Sequence, residues 1–208
     1  MNLKNKEKIA SDDWGKKFLL ELKDLLVGAA FPLMLSLILS STIISYSAYG
    51  NEDDLGLKIV VLLVGEVLII AATVIFGKQN GMAAYKKTVQ NGNKRKVGAN
   101  DDGSRLYIGE YSLVKGALIP VISCIPFIIF QIIEGAYHNT VCEFALMYAF
   151  GWAYFPFKLA GVSQWLNFIW IIPYAGVHLG AYIWGGKTEK KKQDQLAAVE
   201  EVKGKKKK

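Results

Sequence analysis

Lysine and apolar residues are kept apart along this chain, and that separation limits what it can fold into. Of the 25 basic residues, 23 fall in three regions: the first 24 residues, residues 78–115 and the tail after Trp184. Alternating with them are four long segments almost free of charge, residues 25–47, 57–77, 113–133 and 165–184. A helix rises about 1.5 Å per residue, so about 20 residues cover the roughly 30 Å of a bilayer's hydrocarbon core. Lipid offers no partner for backbone N–H and C=O groups, which makes helix the expected conformation even where β-branched residues are dense. The pattern therefore predicts an all-α integral membrane protein with four transmembrane helices and no large water-soluble core.

Basic residues are held back on the cytoplasmic side during insertion. An even number of crossings puts all three lysine-rich regions on that side, with both termini in the cytoplasm. The two remaining basic residues, Lys58 and Lys158, fall on the other side with Glu52, Asp53, Asp54, Glu134 and Glu143. The resulting plan is a cytoplasmic amphipathic segment over 1–24 and a membrane domain over 25–184. That domain has a cytoplasmic loop at 78–112 and an outer segment at 134–164, and a lysine-rich cytoplasmic tail covers 185–208.

Residues 141–160 are apolar enough to be a fifth span, but a fifth crossing would carry the nine lysines of the tail to the outside. Pro156 and the flanking Glu143 and Lys158 also argue against it. Alternation of Tyr148, Phe150, Trp152 and Tyr154 with Ala149, Gly151 and Ala153 suggests an extended segment with its rings on one side. Such rings favour the headgroup zone. The expectation is an aromatic outer-face segment, interfacial or re-entrant.

At the N-terminus, Ser11, Asp12 and Asp13 read as a helix start. Trp14, Phe18, Leu22 and Leu25 then recur at helical spacing, as in a short interfacial helix leading into the first span. Its length and polar leader suit an uncleaved anchor better than a signal peptide, despite the small residues Ser45 and Ser47. Asn91, Gly92, Asn93 and residues 101–103 make 78–112 look turn-rich.

A net charge of +7 raises the question of nucleic acid. The basic residues flank apolar spans, however, and only Arg95 and Arg105 carry the bidentate fork that phosphate and base readers use. Nucleic-acid binding is not expected. The lysine-rich tails instead suit anionic lipid headgroups, at about 1 kcal/mol per basic residue near the surface. The lysine excess fits an AT-rich genome, and the expected setting is a bacterial plasma membrane. Cys124 and Cys142 show neither metal-ligand spacing nor depths suited to pairing. No metal or cofactor motif is present, and no phosphate loop, nucleophile elbow or zinc-protease signature occurs.

Few residues inside the spans carry chemistry. Glu66, near the middle of the second span, is the most informative, because a carboxylate there must meet protein or water. His178 in the fourth span is its candidate partner in a proton relay. That histidine also sits inside Gly176-Val177-His178-Leu179-Gly180, a spacing that marks close helix packing. Ser36 and Ser40, with Ser41, Thr42 and Ser45, give the first span a seam of small hydroxyls that suits helix contacts. Pro120 and Pro126 in the third span and Pro173 in the fourth are candidate kinks.

The expected function is that of a non-enzymatic subunit or helper packing against another membrane protein or a second copy of itself. Small size, glycine and serine packing positions and the lack of a soluble catalytic domain favour it. A small oligomeric transporter or channel using Glu66 is the alternative. A membrane-embedded enzyme ranks third, because the polar groups do not assemble into a catalytic cluster.

Overall fold

The computed structural model describes the backbone of residues 3–49, 55–97, 109–161 and 163–205, and side chains within 15–42, 56–93, 109–158, 160–161, 163 and 165–199. Glu52, Asp53, Asp54, residues 101–103 and the side chains of Ser11, Asp12, Asp13, Trp14, Ser45 and Ser47 lie outside them. All described regular structure is helical: α1 (Leu3–Tyr49), α2 (Leu55–Val97), α3 (Leu113–Ser123), α4 (Ile125–Tyr137), α5 (Thr140–Leu159), a 3-10 helix (Gln164–Trp170) and α6 (Ile171–Lys205). Three helices are long and apolar enough to cross a membrane, or four if the bent pair α3–α4 counts as one span.

The helices overrun the apolar segments. α1 is continuous from residue 3 into the first apolar segment, so Ser11, Asp12 and Asp13 lie within the helix and do not begin it. α2 continues through Asn91, Gly92 and Asn93 to Val97 where a turn-rich loop was expected. α6 likewise extends through the lysine-rich tail to Lys205. Packing accounts for the first turn of this overrun, because the α2–α6 contact continues past the apolar stretch as far as Gly81. A Cβ on Gly77 would lie 2.8 Å from the Ala181 Cβ, one on Gly81 would fall on the Tyr182 carbonyl, and one on Gly185 would fall on the Lys78 carbonyl. Backbone-to-backbone approach of this kind needs residues without side chains.

Those contacts also fix direction. Gly77 faces His178 to Tyr182 and Gly81 faces Tyr182 to Gly186, so α2 and α6 run parallel. α1 and α3 are parallel too, because Asp24 meets Lys115 while Gly28 meets Ile119. The end of α2, the start of α3 and the middle of α6 gather at one end of the bundle, where Tyr111 stacks on Tyr182 at 5.0 Å and Lys78 lies 4.0 Å above the Trp184 ring.

α3 and α4 are one rod broken at Cys124 and bent by 41°. Pro126 stands in the first turn of α4, where no backbone donor is required, and Pro120 lies inside α3. Pro173 is different: it occupies the first turn of α6, directly after the 3-10 helix, and kinks nothing. His138 caps α4 in the left-handed conformation, at φ 49°. Cys124 and Cys142 are buried and unpaired.

The segment after α4 is helical, not extended, and it folds back on itself. Glu143 and Lys158 would stand about 22 Å apart on a straight helix, yet Lys158 Nζ lies 2.5 Å from Glu143 Oε1. The reversal occurs at Phe150, whose φ of −137° and ψ of 30° interrupt the helix. Backbone groups at the break find partners on α1. Ser36 Oγ donates to the Ala149 carbonyl at 2.6 Å and accepts the Trp152 indole N–H at 2.8 Å, while Ser40 Oγ accepts the Gly151 N–H at 2.9 Å. Phe150, Trp152 and Tyr154 consequently lie in the main core with Phe127 and Leu146, not on a headgroup surface.

Candidate functional site

Glu66 stands on α2 at the base of an apolar cleft of about 440 Å³ lined by Ile59, Leu62, Leu63, Pro156, Ala160 and Trp170. A smaller pocket continues inward past Thr73, Pro173 and Tyr174, and Glu66 and Trp170 belong to both. Among the described residues, the buried Glu66 Oε1 finds no hydrogen-bond donor and the Trp170 indole N–H no acceptor. A buried polar atom without a partner costs about 1–3 kcal/mol, and more when charged. The cleft wall therefore holds one unpaired acceptor and one unpaired donor in apolar surroundings.

His178 is not that group. It lies level with Gly77, eleven residues along α2 from Glu66, or about 16 Å by helical rise. Its Nδ1 instead bonds the Gly116 carbonyl at 3.1 Å. Proline at 120 has no N–H to offer the carbonyl four residues earlier, and that carbonyl belongs to Gly116. His178 supplies the missing donor, which fixes Nδ1 as the protonated nitrogen and leaves Nε2 as an unpaired acceptor. The two residues of the expected relay thus serve separate structures.

Gly176 and Gly180 do not pack inside this chain. No atom outside their own helical surroundings lies within 4 Å of where their Cβ atoms would stand, and both are exposed. The internal role belongs to Gly77 and Gly81, the other glycine pair at four-residue spacing, together with Gly185 and Gly186. Gly180 is two helical turns from Pro173, so the bare glycine face adjoins the Glu66 cleft on one side of α6. Among the hydroxyls of α1, Ser36 and Ser40 are buried, whereas Ser41 and Thr42 bond back to the Ile38 carbonyl.

Two polar clusters were not singled out from sequence. Near the turn after α4, Asn167 Nδ2 donates to Gln131 Oε1 at 2.9 Å. Gln131, Asn167 and Glu134 are all at least 96% buried. Each still has one atom unpaired, namely Gln131 Nε2, Asn167 Oδ1 and Glu134 Oε2. Gln131 and Glu134 share one face of α4 at i, i+3, a spacing visible in the sequence.

At the lysine-rich end, Asp24 Oδ1 accepts Lys87 at 2.8 Å and Asp24 Oδ2 accepts Lys115, which also lies 3.5 Å from Glu21. Glu21 accepts the Gly109 N–H at 3.0 Å, Asn91 donates to Glu110, and the Tyr111 N–H bonds Thr88 Oγ1. This quartet ties α1, α2 and α3 together. Its signal was the presence of Asp24 and Lys115 at the mouths of two apolar spans, where an isolated charge is expensive. Among the described residues no group of three or more His, Cys, Asp or Glu is placed to hold a metal ion. Comparison with protein-family models, known proteins and solved structures returns no match.

Proposed function

We propose that this chain crosses the membrane four times with both termini in the cytoplasm, and that it is a non-enzymatic subunit packing against another integral membrane protein. The observation that carries the reading is the side of the molecule where the bare Gly176–Gly180 face of α6 adjoins the cleft holding the unpaired Glu66 Oε1 and Trp170 N–H. Small residues let a second helix approach closely in lipid, where packing and interhelical hydrogen bonds drive association. A donor on that helix would satisfy Glu66. The gathering of the lysine-rich regions at one end of the bundle supports the topology, because positive residues stay inside. A tag placed after Lys208 is then expected to resist a membrane-impermeant label in intact cells, and labelling there would overturn the topology.

Leucine at Gly176 or Gly180 meets open space in the free chain, so each variant should accumulate in membranes normally. Each should also lose the integral protein that co-purifies with the wild type in mild detergent. Undiminished capture by both variants would refute the docking face, and capture of a differently tagged copy of this chain would identify the partner as itself. A second reading, a small oligomeric transporter, draws on the same unpaired carboxylate. It requires Glu66→Gln to abolish solute flux while partner capture is unchanged.

A further inference from the structure

A crevice of about 170 Å³ opens between α1, α2 and α3, and its lining changes character in the same direction on each helix. On α1 the order is Asp24, Val27, Phe31; on α2 it is Lys87, Asn80, Phe76; on α3 it is Lys115, then Ile119. Charge at one end thus gives way to aromatic and aliphatic surface over about 10–16 Å of α1 and α2. Phe31 and Phe76 touch, with ring centroids 4.3 Å apart, and Phe31 remains exposed.

We propose that this crevice binds one membrane phospholipid, with its phosphodiester on Lys87 and Asn80 and an acyl chain along Phe31 and Phe76. Donor accounting selects the headgroup. Both oxygens of Asp24 are taken by lysines, and Glu21 is taken by Lys115 and the Gly109 N–H, so the acids are already engaged and a cation finds no open ligand. Lys87 has three donors, gives one to Asp24, and keeps its side chain 46% exposed. Ammonium groups of this kind make charge-assisted hydrogen bonds to phosphate. Free phosphate would leave the apolar half of the crevice empty, whereas a lipid fills both halves.

The inference rests on the reading that α1 and α2 cross the bilayer, and its test keeps the two apart. The chain purified in mild detergent is titrated with dioleoyl phosphatidylglycerol and the bound lipid is counted by native mass spectrometry. Wild type is expected to retain one lipid. Lys87→Gln should bind roughly tenfold more weakly, and Ala83→Phe, one turn from Lys87 on the crevice wall, should exclude the acyl chain. Lys86→Gln is the control, being exposed and outside the crevice lining.

Retention of lipid by Lys87→Gln and Ala83→Phe overturns the proposal. So does equal loss from Lys86→Gln, which would mean unspecific attraction, and so does displacement of the lipid by inorganic phosphate alone. Release of the chain from native membranes by alkaline carbonate would refute the membrane reading instead, whatever the purified protein binds.

Discussion

Alanine at Gly81 is expected to prevent the protein from accumulating as a folded species. The added Cβ would fall on the Tyr182 carbonyl and lie 3.1 Å from the Gly186 backbone nitrogen, so the obstruction is backbone and no rotamer change relieves it. α2 and α6 would have to separate along their contact, which carries Gly77 and Gly185 with it. Overpacking a well-fitted interior costs about 1–3 kcal/mol when side chains can yield, and more when they cannot. A small domain has only about 5–15 kcal/mol in total. Membrane accumulation and thermal melting in detergent provide the measurement, with Gly180→Ala as the neutral comparison because open space surrounds it. A Gly81→Ala protein with wild-type abundance and melting temperature would show that α2 and α6 do not meet as described.

That contrast between glycines shows where sequence reading succeeds and where it stops. Apolar length is a local property, so the four apolar segments and the clustering of lysine were legible from residues alone. Which face of a helix meets a neighbour is not local. Gly176–Gly180 and Gly77–Gly81 have the same spacing, but Lys78, Gln79 and Asn80 made the second pair look like the edge of a loop. In the fold it is the close-packed pair, and α2 continues beyond it as helix through Asn91 and Gly92.

The reversal in α5 was hidden for a similar reason. Its alternating rings suggested extended chain, but the break at Phe150 is supported by Ser36 and Ser40, more than a hundred residues earlier. His178 was legible as a buried polar residue, yet its task depends on a carbonyl freed by Pro120 in another helix. For Glu66 the depth was readable. The absence of any partner for Oε1 became visible only when the neighbouring helices were in place.

Methionine at Lys115 is expected to have the second large effect, and it tests the charged quartet directly. Lys115 is 8% exposed and is the only one of the four groups that bonds both acids, so its removal leaves Glu21 and Asp24 facing each other without the ammonium between them. Deleting one partner of a buried ion pair typically costs about 3–5 kcal/mol. Asp24 keeps Lys87, Glu21 keeps the Gly109 N–H, and both acids are partly exposed, so a loss near about 3 kcal/mol is expected. Asp24→Asn made together with Lys115→Met should recover part of that loss, because the charge stranded on Asp24 is gone while that on Glu21 stays, and the resulting double-mutant cycle isolates the Asp24–Lys115 pair from the packing of the lysine stem. If Lys115→Met alone melts like the wild type, the pair is solvated and α3 is held to α1 by apolar contacts such as Ile119 on Gly28. If instead the double variant is no better than the single one, the loss does not come from charge stranded on Asp24, and the stem of Lys115 or its ion pair with Glu21 supports the start of α3.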